Sequence, residues 1–160
     1  MSQSRDALGD SLMKRWQRLS PLPGGRWLFS LLLGRFAPYT GSIGALVKEL
    51  RPGYARVELR DRRKVRNHLT SIHAIALMNL GEVTTGLALL GGLKPGVRGI
   101  ITGLSIEYFK KARGRLVSVA ETVQPEVSED IEHEVYADIK DQTGEVVARC
   151  TAKWRLGLIP

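Results

Sequence analysis

The segment from Ser71 to Leu90 constrains this chain more than any other. It is rich in Ala, Leu, Ile and Met, contains no proline, and runs into Gly91-Gly92, a pair that can stop a helix by accepting positive φ. Its apolar residues cover nearly every face of the predicted helix. A helix that is apolar all round is buried on most sides, so the rest of the chain must wrap it. With 160 residues, 43% of them apolar, the chain is long enough to build that wrapping as one ordinary domain.

The wrapping material is predicted to be β-structure. Ala55, Val57 and Leu59 alternate with Arg56, Glu58 and Arg60, the two-residue period of a strand with one wet face. A strand over Ile43–Leu50 precedes it. After the helix, Ile100, Leu104, Ile106 and Tyr108 share one parity, Val117 and Val119 mark another strand, and Ile131, Val135, Ala137 and Ile139 a third. Val146, Ala148, Cys150, Ala152, Trp154 and Leu156 form the last. Gly114, Pro125 and Gln142-Thr143-Gly144 punctuate these as turns. Short connections among the four late strands favour an antiparallel sheet curled around the helix, an α+β arrangement.

Two helices lead the chain. Leu8, Leu12, Trp16 and Leu19 have helical spacing before Pro21 and Pro23, and a second helix follows at about 25–36. The division is therefore an N-terminal helical extension, 1–40, and a wrapped domain, 41–160. The run Trp27–Leu33 is too short to span a bilayer and no small-residue cleavage site follows it, so neither a membrane span nor a signal peptide is expected. The extension is expected to dock on the body of the protein, with peripheral membrane contact through residues 8–36 left open.

Glu82 stands inside the apolar helix. A carboxylate there is expensive to bury unless it is paired, hydrogen-bonded or protonated. It either meets a basic strand residue, lies at an exposed edge, or performs chemistry. Asn79, one turn earlier, can hydrogen-bond to it. Asn67 and Ser71 suit a turn and a helix N-cap, and His73 is on base rates a structural histidine. Gly81 and Gly86 flank Glu82 at a cost of roughly 1 kcal/mol each relative to Ala, which close approach of a backbone or ligand would explain.

The pattern Asn67-x5-His73-Ala74-x7-Glu82, with the order of elements, resembles the hotdog-fold acyl-CoA thioesterases of the phenylacetyl-CoA and 4-hydroxybenzoyl-CoA type. In that type an Asn precedes the helix, a His-Gly opens it, and an Asp or Glu nine residues after the His performs the chemistry. The phrases APYTGSI, NHLTSIHAIALMNLGE and IEYFKKARG are closer still to a bacterial family of thioesterase-like proteins of unknown function. The resemblance runs from about Ala37 to Trp154. It implies a hotdog fold and hydrolysis of an acyl thioester, with the Ala74 N–H polarising the carbonyl and Glu82 acting as base or nucleophile. It also implies that Asn67 orients water or the thioester and that His73 fixes the turn. Thr102 is a weaker candidate for positioning Glu82 or water. The chain has His73-Ala74-Ile75 where the better-characterised pattern has His-Gly-Gly, which adds side chains beside the acyl-CoA path.

Helix geometry bears on assembly. Nine residues at about 100° and about 1.5 Å each set Glu82 roughly opposite His73 and about 13 Å along the axis, so one chain cannot easily aim both at one carbonyl. Two antiparallel copies could, which is the arrangement the resemblance implies. A homodimer with two composite sites is expected, and a dimer of dimers is compatible.

The formal charge of +8 is unevenly placed. Arg51–Arg66 holds seven bases and two acids, whereas Glu121–Glu145 holds nine acids and one base, Lys140. Arginine forks and lysine point charges suit the phosphates of coenzyme A. The candidates are Arg62, Arg63, Lys64 and Arg66, then Lys110, Lys111 and Arg113. A non-catalytic acyl-CoA-binding module and a dehydratase on the same fold are alternatives. Nucleic acid is not expected, for no helix-turn-helix, zinc-finger or aromatic RNA-binding motif is present. No metal and no cofactor is expected beyond the coenzyme A thioester as substrate. The lone Cys150 fits a reducing, cytoplasmic setting.

Overall fold

A computed structural model describes residues 8–160; the first seven residues of the predicted extension lie outside the described residues. The elements run α1 (Leu8–Leu19), α2 (Gly25–Phe36), α3 (Pro38–Gly41), β1 (Leu46–Arg51), β2 (Tyr54–Leu59), α4 (Ala74–Leu90), β3 (Val97–Tyr108), β4 (Leu116–Glu121), β5 (Ile131–Lys140) and β6 (Val146–Leu158). A short 3-10 turn at Arg63–Val65 lies between β2 and α4. The six strands form one antiparallel sheet in the order β1-β2-β4-β5-β6-β3. The sheet curls around α4, the hotdog arrangement that the apolar helix called for.

The core lies between α4 and the inner face of the sheet. Leu80 and Leu89 of α4 are fully buried against a wall that includes Leu59, Leu116, Ile139 and Leu156, side chains worth about 1.5–3 kcal/mol each on burial. From Ala148 onward the inward parity of β6 is the one its alternation predicts, with Ala148, Cys150, Ala152, Trp154 and Leu156 all buried, whereas at the register shift with β5 Val147 takes the inner place instead of Val146. Two threonines inside α4 satisfy themselves locally: the Thr84 hydroxyl donates to the Leu80 carbonyl at 2.6 Å and that of Thr85 to the backbone carbonyl of Glu82 at 2.9 Å. Pro52-Gly53 closes the β1–β2 hairpin, and Gly53 adopts φ 79° as the second central residue of such a turn. Its N–H donates to the Ala88 carbonyl at 3.0 Å, tying the hairpin to the end of α4.

The structure departs from the sequence reading in the bounds of two elements and in the faces of a third. The first strand begins at Leu46 rather than Ile43. The helix starts at Ala74, not Ser71, because residues 66–73 form a tight turn of their own. On β3 the predicted parity is split: Ile100 lies opposite Arg155 on the outer face, 56% exposed, with Ile101 on the core in its place, whereas Leu104, Ile106 and Tyr108 lie opposite Ala152, Cys150 and Ala148 on the inner face, Ile106 packed on the core and Leu104 37% exposed. The register shift between Ile101 and Gly103 separates these faces, and among the described residues β3 pairs only with β6, leaving its other edge open.

Gly81 is required by packing. A Cβ there would stand 2.7 Å from the Cys150 Sγ and closer still to the Cys150 Cβ. Gly81→Ala is therefore expected to destabilise the protein by about 2 kcal/mol in urea unfolding, the overpacking cost outweighing the gain in helix propensity. Stability equal to or above the parent would show that α4 can shift freely on β6.

α1 and α2 dock on the body, with Trp16 and Phe29 buried in edge-to-face contact, ring centroids 5.0 Å apart. The outer side of α2 leaves Trp27, Leu31 and Phe36 exposed. Among the described residues no helix is long and apolar enough to cross a membrane.

Candidate active site

The turn before α4 is built by Asn67. Its Oδ1 accepts from the Leu69 N–H at 2.9 Å and from both the N–H and the hydroxyl of Ser71 at 3.2 Å, an Asx-type turn that holds Thr70 at φ 55°. Ser71 is consumed in this turn and does not cap the helix. His73 does so instead: with φ −64° and ψ 139° it sits at the N-cap, and its Nδ1 accepts from the Ile75 N–H at 3.1 Å. That bond makes Nδ1 the acceptor, so the neutral ring carries its proton on Nε2. The His73 N–H donates to the Val65 carbonyl at 2.8 Å.

Ala74 is the first residue of the helix, and none of the described residues accepts its N–H. An N–H in that position is one of the orphan donors of a helix N-terminus, with the helix dipole behind it. The Ala74 carbonyl accepts from the Tyr108 hydroxyl at 2.9 Å, which pins the end of β3 to the start of α4. Ile75 is 52% exposed, so its side chain lies outside the core. His73, Ile75 and Asn79 border a cleft of about 310 Å³ with Lys64 and Arg66.

Glu82 lies two turns further along. Among the described residues it has no ion pair and its carboxyl makes no hydrogen bond, so neither a basic strand residue nor Asn79 neutralises it. Asn79 instead donates from Nδ2 to the Tyr39 carbonyl at 3.0 Å and buries its Oδ1 without a partner. Burial pushes the Glu82 carboxyl above the ordinary carboxylate range. The Cys150 thiol, in turn, is pushed up to about 11, first by burial and then by the charge of Glu82, and stays an unreactive thiol at neutral pH. Glu82 borders an apolar groove between α4 and the two leading helices. The sequence reading missed this groove; its one signal was the unusual apolarity of Trp27–Leu33, more than the burial of Phe29 in the core uses. Thr102 is exposed on β3, donates to the Lys153 carbonyl at 3.3 Å and makes no hydrogen bond to Glu82.

The two basic clusters meet around the N-terminus of α4. Asp61 joins them, pairing with Arg66 at 2.5 Å and accepting from the Gly114 N–H at 2.8 Å, while the Ile72 N–H donates to Ala112 at 2.8 Å. Several of the bases are already engaged: Arg62 with the Ile43 carbonyl at 2.6 Å, Arg113 with that of Leu69 at 3.5 Å, and Lys110 with Asp141 at 2.7 Å and with Glu145. Arg63, Lys64 and Lys111 are exposed and have no ion-pair partner among the described residues.

This architecture recurs in solved structures. The genomics protein APC5556 is 31% identical with a TM-score of 0.81, the match covering 96% of this chain and 100% of that one. PA5026 from Pseudomonas aeruginosa, a protein of unknown function named "Probable Thioesterase", is 22% identical with a TM-score of 0.74 over 86% of this chain and 97% of its own. A thioesterase family protein from Silicibacter pomeroyi is 18% identical with a TM-score of 0.67, covering 83% and 99%. No curated protein matches the chain. A family model does, over residues 25–156, and that span makes this chain a member of the family described as Domain of unknown function (DUF4442).

Proposed function

We propose that this protein hydrolyses acyl-CoA thioesters as a homodimer with two composite sites. The observation that carries the reading is Glu82, a half-buried carboxyl without a neutralising partner, on the same helix whose N-terminal Ala74 N–H is unengaged. The thioesterase names borne by proteins of the same fold support it. Ala74 and Glu82 are about 12 Å apart along α4, so each site takes the Ala74 N–H from one protomer and Glu82 from its partner.

The open edge of β3 supports a twofold assembly. A twelve-residue strand with one unpaired edge and exposed Ile100 and Leu104 invites pairing with another chain. An antiparallel pairing with a second β3 covers both residues and sets the two α4 helices antiparallel. The same contact closes the dimer and leaves other surfaces for a dimer of dimers.

In the proposed reaction the Ala74 N–H holds the thioester carbonyl oxygen, with the helix dipole favouring the charge that grows there. The partner's carboxylate at position 82 removes a proton from water as the water oxygen bonds to the carbonyl carbon. The tetrahedral intermediate collapses, the C–S bond breaks, and the leaving thiolate takes the proton back. A carboxyl with a raised pKa is the stronger base for this step. Asn67 spends its oxygen on the turn, and its Nδ2 remains to orient water or the thioester.

The CoA phosphates would approach Arg63, Lys64 and Lys111. Reversing charge at Arg63 and Lys111 together is expected to raise KM for acyl-CoA about tenfold or more, with kcat little changed and the difference shrinking in high salt. An unchanged KM would assign these residues to solvent. The direct test of the activity is release of free thiol from a panel of acyl-CoAs by the purified protein. Saturable binding with no thiol release would instead indicate the non-catalytic binding module.

A further inference from the structure

The thioesterase reading leaves the acyl group unplaced, and the groove beside Glu82 offers it a seat. The groove encloses about 210 Å³ between α4, α1 and α2, with Leu12, Leu33 and Phe36 on one side, Gly86 and Leu90 on the other, and Trp154 beneath. Glu82 is the first and Leu90 the last residue of α4 to border it.

We propose that this groove is the acyl pocket and that the preferred substrates are saturated medium-chain acyl-CoAs, the thioester lying at Glu82 and the chain running along α4 towards Leu90. The proposal rests on the thioesterase reading and adds the substrate class to it. Glu82 to Leu90 spans about 12 Å of helix, and an extended hydrocarbon with C–C bonds of about 1.5 Å advances about 1.25 Å per carbon, so the groove takes about eight to ten carbons.

One further observation favours an occupant with an apolar tail. Gly86 has no packing reason to be glycine: a Cβ there would meet only the Trp154 ring at 3.6 Å, an ordinary contact, in contrast to Gly81. Its missing side chain keeps the groove open.

The test measures binding of acetyl-, hexanoyl-, decanoyl- and hexadecanoyl-CoA by calorimetry to the full-length Glu82→Gln protein, which holds the ligand without turnover. Affinity is expected to rise about fourfold per methylene drawn from water and to level off beyond about ten carbons. Adding Gly86→Leu should remove most of the gain for decanoyl-CoA and leave acetyl-CoA binding unchanged. Leu32→Trp, at the exposed rim of the groove, provides a second obstruction should the first variant fold poorly. Equal affinity for acetyl- and decanoyl-CoA overturns the proposal. So does loss of the dimer in Leu32→Trp, which would make the groove a seat for a second copy. Thiol release by the parent protein is scored in parallel. Chain-length-dependent binding without release leaves the groove standing and removes the hydrolase, whereas release without chain-length dependence does the reverse.

Discussion

Glu82→Gln is expected to lower kcat for acyl-CoA hydrolysis by about 10²–10⁴-fold, the contribution of a positioned general base, and at the same time to raise the melting temperature at pH 7. The first effect follows from removing the one group in the proposed site that can take a proton from water. The second follows from linkage. The folded-state pKa of Glu82 is raised by burial, so the native state binds this proton more tightly than the unfolded state. Stability is then lost as pH rises from the unfolded-state value through the folded one, and at pH 7 the ionised carboxyl is a liability. Glutamine keeps the shape and has no charge to bury. The stability difference between parent and variant should shrink towards zero as pH falls below the unfolded-state carboxylate pKa. The kcat/KM of the parent should rise with pH through a value above that of an ordinary carboxylate. A variant that is inactive and also less stable at pH 7 would point to Glu82 as a structural residue with a partner. Undiminished turnover would remove it from the chemistry.

The Ala74→Pro variant separates the helix N-terminal donor from everything else at the site. Proline has no N–H, yet it is well accepted at the first position of a helix. His73 before it already has φ −64° and ψ 139°, the extended conformation that a residue preceding proline requires. The helix should therefore form unchanged in circular dichroism while kcat falls about 10²–10³-fold, as when one oxyanion donor is removed. Mixing this variant with Glu82→Gln tests the composite site without new contacts. After subunit exchange half of the dimers are heterodimers, each with one intact site and one doubly deficient site, so activity should recover to about one quarter of the parent level. No recovery, with exchange demonstrated, would mean that both groups act within one protomer.

The two variants address the residues where sequence and structure diverge most. Glu82 could be recognised from sequence as an anomaly in an apolar helix, but its isolation could not. Pairing with a strand arginine and bonding with Asn79 were both chemically reasonable. They fail because Asn79 is drawn to the Tyr39 carbonyl by α3 and because the strand arginines point elsewhere, Arg56 to Glu49 at 3.0 Å for example. The N-cap moved from Ser71 to His73 for a similar reason: Asn67 captured Ser71 first. The basic clusters, far apart in sequence, were each legible as charge. That Asp61 would join them and that Lys110 would be held by two acids depended on which loops meet.

What the sequence by itself determined is the set of elements: one helix apolar on every face, strands with period-two alternation, and an inner parity of β6 that the structure keeps from Ala148 to Leu156. These properties are local, fixed by 3.6- and 2-residue backbone periods acting on neighbouring side chains. The tertiary structure alone decided that β3 leaves its sequence neighbour to pair with β6, with a register shift that turns Ile100 outward and with the strand's other edge left open among the described residues. It alone decided that the leading helices form an apolar groove against Glu82. Periodicity states which residues share a face, whereas the partner of a face, and the charge state of a carboxyl within it, depend on which distant segments exclude water from it.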